Sequence, residues 1–178
     1  DGKIVAAGYS HNGNYNDFAL ARYNTNGSLD NTFGTNGIVT TTIRTSRSIA
    51  NSMAIQSDGK IVLAGFNSND SDNDFALARY NPDGTLDTNF GDAGVIITTP
   101  GGPSIYESVQ TVAIQNDEKI VAIGYAYIES DDDIVVVRYN SNGVIDSTFG
   151  TNGIVSTQIG TSDDYVFSAA IQDLSLIH

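Results

Sequence analysis

The sequence predicts an all-β fold of β-propeller blades, four antiparallel strands to a blade. Three observations predict it: a tandem repeat, four short apolar runs in each repeat, and no helical periodicity over a useful window. Asp-Gly-Lys-Ile-Val starts at Asp1 and Asp58 and returns as Asp-Glu-Lys-Ile-Val at Asp117, 57 and then 59 residues apart. Arg-Tyr-Asn at Arg22, Arg79 and Arg138, and Phe-Gly at Phe33, Phe90 and Phe149, keep the same offsets. Ala-Ile-Gln closes each unit at Ala54, Ala113 and Ala170. The two extra residues fall between Gly91 and Ala113, where Pro100-Gly101-Gly102-Pro103 lengthens a loop.

The elements follow in order, read from the second unit. Ser52 to Gln56 is a first strand, ended by the turn Ser57-Asp58-Gly59. Lys60 to Phe66 is the second and, after a polar loop, Asp74 to Tyr80 the third. Asn81-Pro82-Asp83-Gly84 is a turn, because proline fixes φ and glycine allows it to be positive. The fourth strand runs from Gly94 to Thr99, beyond the Phe90-Gly91 corner. Several strands, notably Ile134 to Val137, are apolar at every position, as expected when both faces of a sheet are covered. Tandem four-stranded units covered on both faces are propeller blades. A β-solenoid is the runner-up, but its rungs are shorter and lack three tight turns.

The Ala-Ile-Gln strand is expected innermost, with the other three running outward. The chain then begins at the second strand of one blade, continues through two whole blades and ends on the innermost strand of a fourth unit. That makes twelve strands, equivalent to three blades. Propellers close with about four to eight blades, so an incomplete arc over 1–173 is expected, with repeat phases starting at 1, 58 and 117. The remaining blades would come from the same polypeptide or from a second copy of the chain, a six-bladed ring from two chains being one arrangement. Both ends are expected to be cut: Asp1 lies inside a motif, and Leu174-Ser175-Leu176-Ile177-His178 leaves the repeat register. Those five residues resemble the translated end of a sequencing-library adaptor, so 174–178 is expected to be a non-native tail.

Composition narrows the function classes. Among 178 residues, 8 Lys and Arg face 21 Asp and Glu, a net charge of −13 that repels phosphate backbones and argues against nucleic acid. Hydrophobic residues at 40% suffice for a core, and no run of about 18 apolar residues exists to span a membrane. The absence of cysteine excludes disulfides, thiol catalysis and zinc–thiolate sites.

Three motifs recur in order: Ala-Ile-Gln-x-Asp-Gly-Lys-Ile-Val-x-x-Gly, then Asp-Phe-Ala-Leu-Ala-Arg-Tyr-Asn-x-x-Gly-x-Leu-Asp, then Phe-Gly-x-x-Gly. Together they resemble the bacterial delta-60 repeat over essentially Asp1 to Asp173. The third copy departs at Glu118, which makes its turn less ideal, and at Ile134-Val135-Val136-Val137, which keeps burial. The resemblance implies a β-propeller and a large bacterial protein that is exported or attached to the cell surface. It implies no activity and no functional residues.

Residues present in every copy serve what every copy shares, which is folding. Arg22, Arg79 and Arg138 alternate with apolar side chains, and Asp30, Asp87 and Asp146 each follow eight residues later. A buried arginine needs a carboxylate, so an Arg–Asp pair tying the third strand to the corner before the fourth is expected rather than a ring of ligand-binding guanidinium groups. Phe33, Phe90 and Phe149, with Tyr23, Tyr80 and Tyr139, read as corner anchors.

The copies differ most between the second and third strands. There Asp70, Asp72 and Asp74 alternate at the spacing of some calcium loops, without the glycine at the sixth position or the glutamate at the twelfth. Calcium is the one cofactor this offers; otherwise none is expected. Asp131, Asp132 and Asp133 form a poorer set, since adjacent side chains diverge. Glu107 and Asp164, near the starts of innermost strands, are expected to serve solvation. His11 lies in an Asn/Gly loop, His178 in the tail, and no nucleophile elbow, zinc motif or phosphate loop is present. The expected function is a non-enzymatic structural or interaction module of an exported or cell-surface protein, its partner a protein or carbohydrate. The alternatives are a propeller hydrolase or lyase with its active site mainly in other blades, and a calcium-stabilised carbohydrate binder.

Overall fold

The computed structural model describes residues 1–69, 72–102 and 106–172, and in them the chain forms eleven strands and no helix. The first sheet is β1 (Ile4–His11), β2 (Asn16–Tyr23) and β3 (Ile38–Thr41). The second is β4 (Ser48–Ile55), β5 (Ile61–Ser68), β6 (Asn73–Tyr80) and β7 (Val95–Thr98). The third is β8 (Ser108–Ile114), β9 (Ile120–Ile128), β10 (Asp131–Tyr139) and β11 (Ile154–Thr157). Within each sheet every strand pairs antiparallel with the next in sequence, so each sheet is a meander, which is the form of a propeller blade. The three blades stand side by side and do not close into a ring.

The turns are those the repeat dictates. Gln56 N–H donates to Lys60 O at 2.8 Å, and Gly59 holds φ at 82°, a conformation glycine adopts without strain. At the same place in the third copy Glu118 holds φ at 64°, a left-handed conformation costly for a residue with a Cβ. Its carboxylate accepts a hydrogen bond from Gln56 Nε2 at 3.3 Å. The loop expected between β9 and β10 is only a turn at Glu129-Ser130, because the strands extend through Asp131, Asp132 and Asp133.

Cores form between blades. β6 alternates as a strand must: Phe75 and Leu77 face the third blade with Phe90, Val109 and Val135, while Ala76, Ala78 and Tyr80 face the first with Phe18, Leu20 and Phe33. β6 is therefore buried almost throughout. β10 was expected to be buried on both faces too, but Val135 and Val137 are buried while Ile134 and Val136 are only half-buried. The third blade has a neighbour on one face only, so the same sequence pattern yields half the burial.

The innermost strands carry a bulge. Pairing of β4 with β5 slips between Ala50 and Ser52, and that of β8 with β9 between Val109 and Thr111. Beneath each bulge sits a glycine. A Cβ on Gly65 would lie 1.9 Å from Ile49 O, and one on Gly124 would lie 1.9 Å from Ser108 O. The twelfth strand, expected around Ala170, does not form: residues 158–172 contain no strand. β4 and β8 are each zipped to the strand that follows them in sequence. The expected tail at 174–178 lies outside the described residues.

Gly65→Ala is expected to cost about 2 kcal/mol, the scale of overpacking against an immovable neighbour. Urea denaturation of Gly65→Ala beside Gly8→Ala checks it, since a Cβ at Gly8 would meet nothing within 4 Å and its variant should match the parent.

Candidate functional site

Each blade contains the same clamp. Arg22 Nε donates to Asp30 Oδ2 at 2.7 Å, Arg79 to Asp87 at 2.9 Å and Arg138 to Asp146 at 2.8 Å. The guanidinium lies over the corner phenylalanine, 4.3 Å from the Phe33 centroid, 4.4 Å from Phe90 and 4.5 Å from Phe149. Lysine supplies a second cation, Lys3 Nζ at 2.8 Å from Asp30 Oδ2 and Lys119 Nζ at 3.2 Å from Asp146 Oδ2. Lys60 Nζ stands farther off, 3.8 Å from Asp87 Oδ2. The other aspartate oxygen accepts the N–H two residues on, from Thr32, Asn89 or Thr148, and so fixes the corner.

These contacts set the charge states. The Lys3 ammonium, then Thr32, hold Asp30 well below the usual carboxylate range. Thr148 does the same for Asp146, with help from Lys119. At Asp87 burial opposes ionisation, and the Asn89 N–H and Arg79 together outweigh it.

The clamp also reaches the next blade. Arg22 Nη1 donates to Pro82 O at 2.5 Å, and Arg79 Nη1 to Ser141 O. Gly34 N–H donates to Asp83 O at 2.8 Å and Gly91 N–H to Asn142 O at 3.1 Å. Tyr80 donates to Thr41 Oγ1 and Tyr139 to Thr98 Oγ1, both at 2.8 Å, and burial pushes the Tyr80 phenol up to about 12, so it stays a donor. Each junction thus carries the same three bonds. Sequence reasoning missed the arginine–carbonyl and Tyr–Thr bonds, although Thr41 and Thr98 repeat in phase and could have been found. The groove beside Arg79, lined by Gln56, Lys60 and Glu118, offers a ligand little, since Nη1 is engaged by Ser141 O and Gln56 Oε1.

A second cluster joins Asp74, whose counterparts are Asp17 and Asp133, to Asp72 and Glu107, whose positions are not acidic in every copy. Of the three aspartates read as a calcium loop, Asp70 lies outside the described residues. Asp72 and Asp74 are buried at the start of β6. Thr99 Oγ1 donates to Asp74 at 3.0 Å, and Arg44 Nη1 is 3.9 Å from it. Across the junction is Glu107. It was expected to be solvated and is instead fully buried, because Glu107 N–H donates to Asn73 O at 3.0 Å and draws the start of β8 against β6. Gly101 N–H donates to its Oε1 at 2.6 Å, and its Oε2 has no hydrogen-bond partner among the described residues. Burial, then the charges of Asp74 and Asp72, push Glu107 up to about 8. At the next junction Asp133 is raised in the same way, first by burial and then by Asp131 and Asp164. Asp164 itself is half-buried and accepts from the N–H of Ile159 and Gly160. Among the described residues no group of three or more His, Asp and Glu side chains is arranged to hold a metal ion. His11 is exposed beside Asn16.

Residues 1–33, 56–90 and 115–149, more than half the chain, match the model of a family described as domain of unknown function (DUF5122) beta-propeller. The chain belongs to this family. Each matched stretch ends at the corner phenylalanine, so the DUF5122 unit encloses the whole Arg–Asp–Phe clamp. No curated protein matches the chain. No helix among the described residues is long and apolar enough to cross a membrane.

Two predictions follow from this geometry. Arg79→Ala should cost roughly 3 kcal/mol, the scale for breaking a buried ion pair, and more than Arg138→Ala, whose arginine has the equivalent aspartate, Asp146, but among the described residues no carbonyl of a following blade; chemical denaturation of both variants checks the order. For Glu107, the folded chain binds a proton that the unfolded chain releases between its ordinary value of 4.5 and about 8, so stability falls as pH rises through that window. Glu107→Gln should flatten that slope and melt higher than the parent at pH 8, as read by thermal unfolding across pH.

Proposed function

We propose that the chain is a non-catalytic structural or interaction module, a run of delta-60-type propeller blades in an exported or surface-attached bacterial protein. One observation carries this reading: the Arg–Asp pair that repeats in all copies is consumed in holding a blade and, at two junctions, in joining it to the next. What varies is the turn between the second and third strands, at His11–Asn16, Ser68–Asn73 and Ile128–Asp131, all at one end of the blades. A framework of constant staples with variable turns suits recognition of a protein or carbohydrate surface. Abundant Asn, Asp, Gly and Thr with little Lys or Arg and no cysteine suits an exterior setting. Glu107 stays protonated to higher pH, as a general acid does, but full burial keeps substrate away from it, which favours a structural role over hydrolase or lyase chemistry.

Incubation with chromogenic glycosides, carboxylic esters and phosphate esters should give no turnover. Turnover that disappears in Glu107→Gln or Asp74→Asn would overturn the non-catalytic reading. Melting in millimolar calcium should match melting in chelator; a rise abolished by Asp74→Asn would make calcium part of the module.

A further inference from the structure

Where the first two sheets meet beside β7 there is a groove of about 320 Å³, within the range of small-ligand sites. Ile43, Val95 and Ile97 form its apolar wall, and Arg44 and Asp92 are its charged residues. The copies diverge at this place. Asp92 stands in phase with Thr35 and Thr151, and Ile97 with Thr40 and Ser156. The equivalent groove at the next junction is lined by Pro100, Thr151, Ile154 and Ser156 and, among the described residues, by no charged side chain.

Neither charge is committed to the fold. Six of the eight Lys and Arg side chains stand at the aspartate clamps, and Arg44 and Arg47 are the other two. Arg47 lies over Phe66, 5.2 Å from its centroid. The Arg44 side chain is 57% exposed, and its approach to Asp74, at 3.9 Å, is loose. Its backbone holds φ at 54°, a strained conformation for a residue with a long side chain and one that clusters at ligand sites. Asp92 is exposed, and its carboxylate has no hydrogen-bond partner among the described residues. The two charges mark opposite ends of β7. Thr99, just past β7, donates to the same Asp74 carboxylate that Arg44 approaches, whereas Asp92 exchanges backbone bonds with Val95, where β7 begins. From Val95 to Thr99 an extended chain rises about 13 Å. Along that length β7 is the last strand of its sheet. Arg79 N–H donates to Gly94 O, so by alternation Ile97 turns its N–H and C=O away from β6, toward the open edge.

We propose that this groove binds a short extended peptide with free termini, about three residues long, lying parallel to β7 with its ammonium on Asp92, its carboxylate on Arg44 and its backbone paired to Ile97. A peptide added to a sheet edge gains affinity from main-chain bonds, and a side chain directed to the apolar wall meets Ile43, Val95 and Ile97. A zwitterion carries no net charge, so the −13 of the chain does not repel it as it would an anionic ligand. This goes beyond the module reading, which places recognition on the variable turns, and it stands without that reading.

Titration calorimetry of the whole chain with the tripeptide alanyl-leucyl-alanine at millimolar concentration should show one saturable site. Acetylating its amino terminus or amidating its carboxyl terminus should each weaken binding about tenfold, the scale of one charge-assisted contact. Asp92→Thr should remove the penalty for acetylation and Arg44→Gly the penalty for amidation, each leaving the other in place. Both variants should keep the circular dichroism of the parent, since threonine holds this position in the other two copies and glycine accepts a φ of 54° without strain. The two capped peptides test the parent by itself, so the proposal stays decidable if a variant fails to fold. No saturable binding, equal binding of the free and capped peptides, or penalties that Asp92→Thr and Arg44→Gly leave unmoved would each overturn it.

Discussion

The architecture depends on one guanidinium repeated in phase. A desolvated arginine is tolerable only if its charge is met and its donors are used. Here Nε takes the aspartate of the same blade, the face stacks on the corner phenylalanine, and at two junctions Nη1 reaches a carbonyl of the following blade. One side chain therefore fixes the third strand, the corner and the spacing between sheets. The tyrosine and glycine bonds flank it and stop the sheets from rotating about that contact. Apolar burial drives the sheets together, but burial is non-directional and would accept a sliding interface. The directional bonds select one stacking.

Much of this was legible in the sequence, and the reason is periodicity. Strand positions in the second unit fall within a few residues of β4–β7, because apolar alternation and turn residues speak for local structure. The Arg–Asp spacing of eight residues sufficed to suggest a contact, since both ends lie within one blade. Contacts between blades were harder. Arg79 meets Ser141 and Tyr139 meets Thr98, separations at which spacing carries no geometric meaning until the sheets are stacked. Burial at the arc's ends was overestimated for the same reason: Ile134 and Val136 have the composition of a covered face, and composition does not reveal whether a neighbour stands there.

The candidate site was legible only in part. Asp72 and Asp74 drew notice as alternating carboxylates, while Glu107 looked like surface. Its burial follows from a backbone bond to Asn73 O, and the lengthened loop at Pro100-Gly101-Gly102 brings a backbone donor, Gly101 N–H, onto the carboxyl. The two residues that break the exact repeat length thus fall beside the least repetitive chemistry in the molecule. Carboxyl groups crowded at a junction are a cost that only two of the inter-unit positions carry, at Glu107 and at Asp133.

Among the described residues the middle sheet is the only one flanked on both sides, and β6 is buried along nearly its whole length. In a linear array whose units touch only their neighbours, cohesion is a sum of unit and junction contributions. Loss of order must then advance from the two outer sheets toward β4–β7, and amide protons on β6 are the last to trade with solvent.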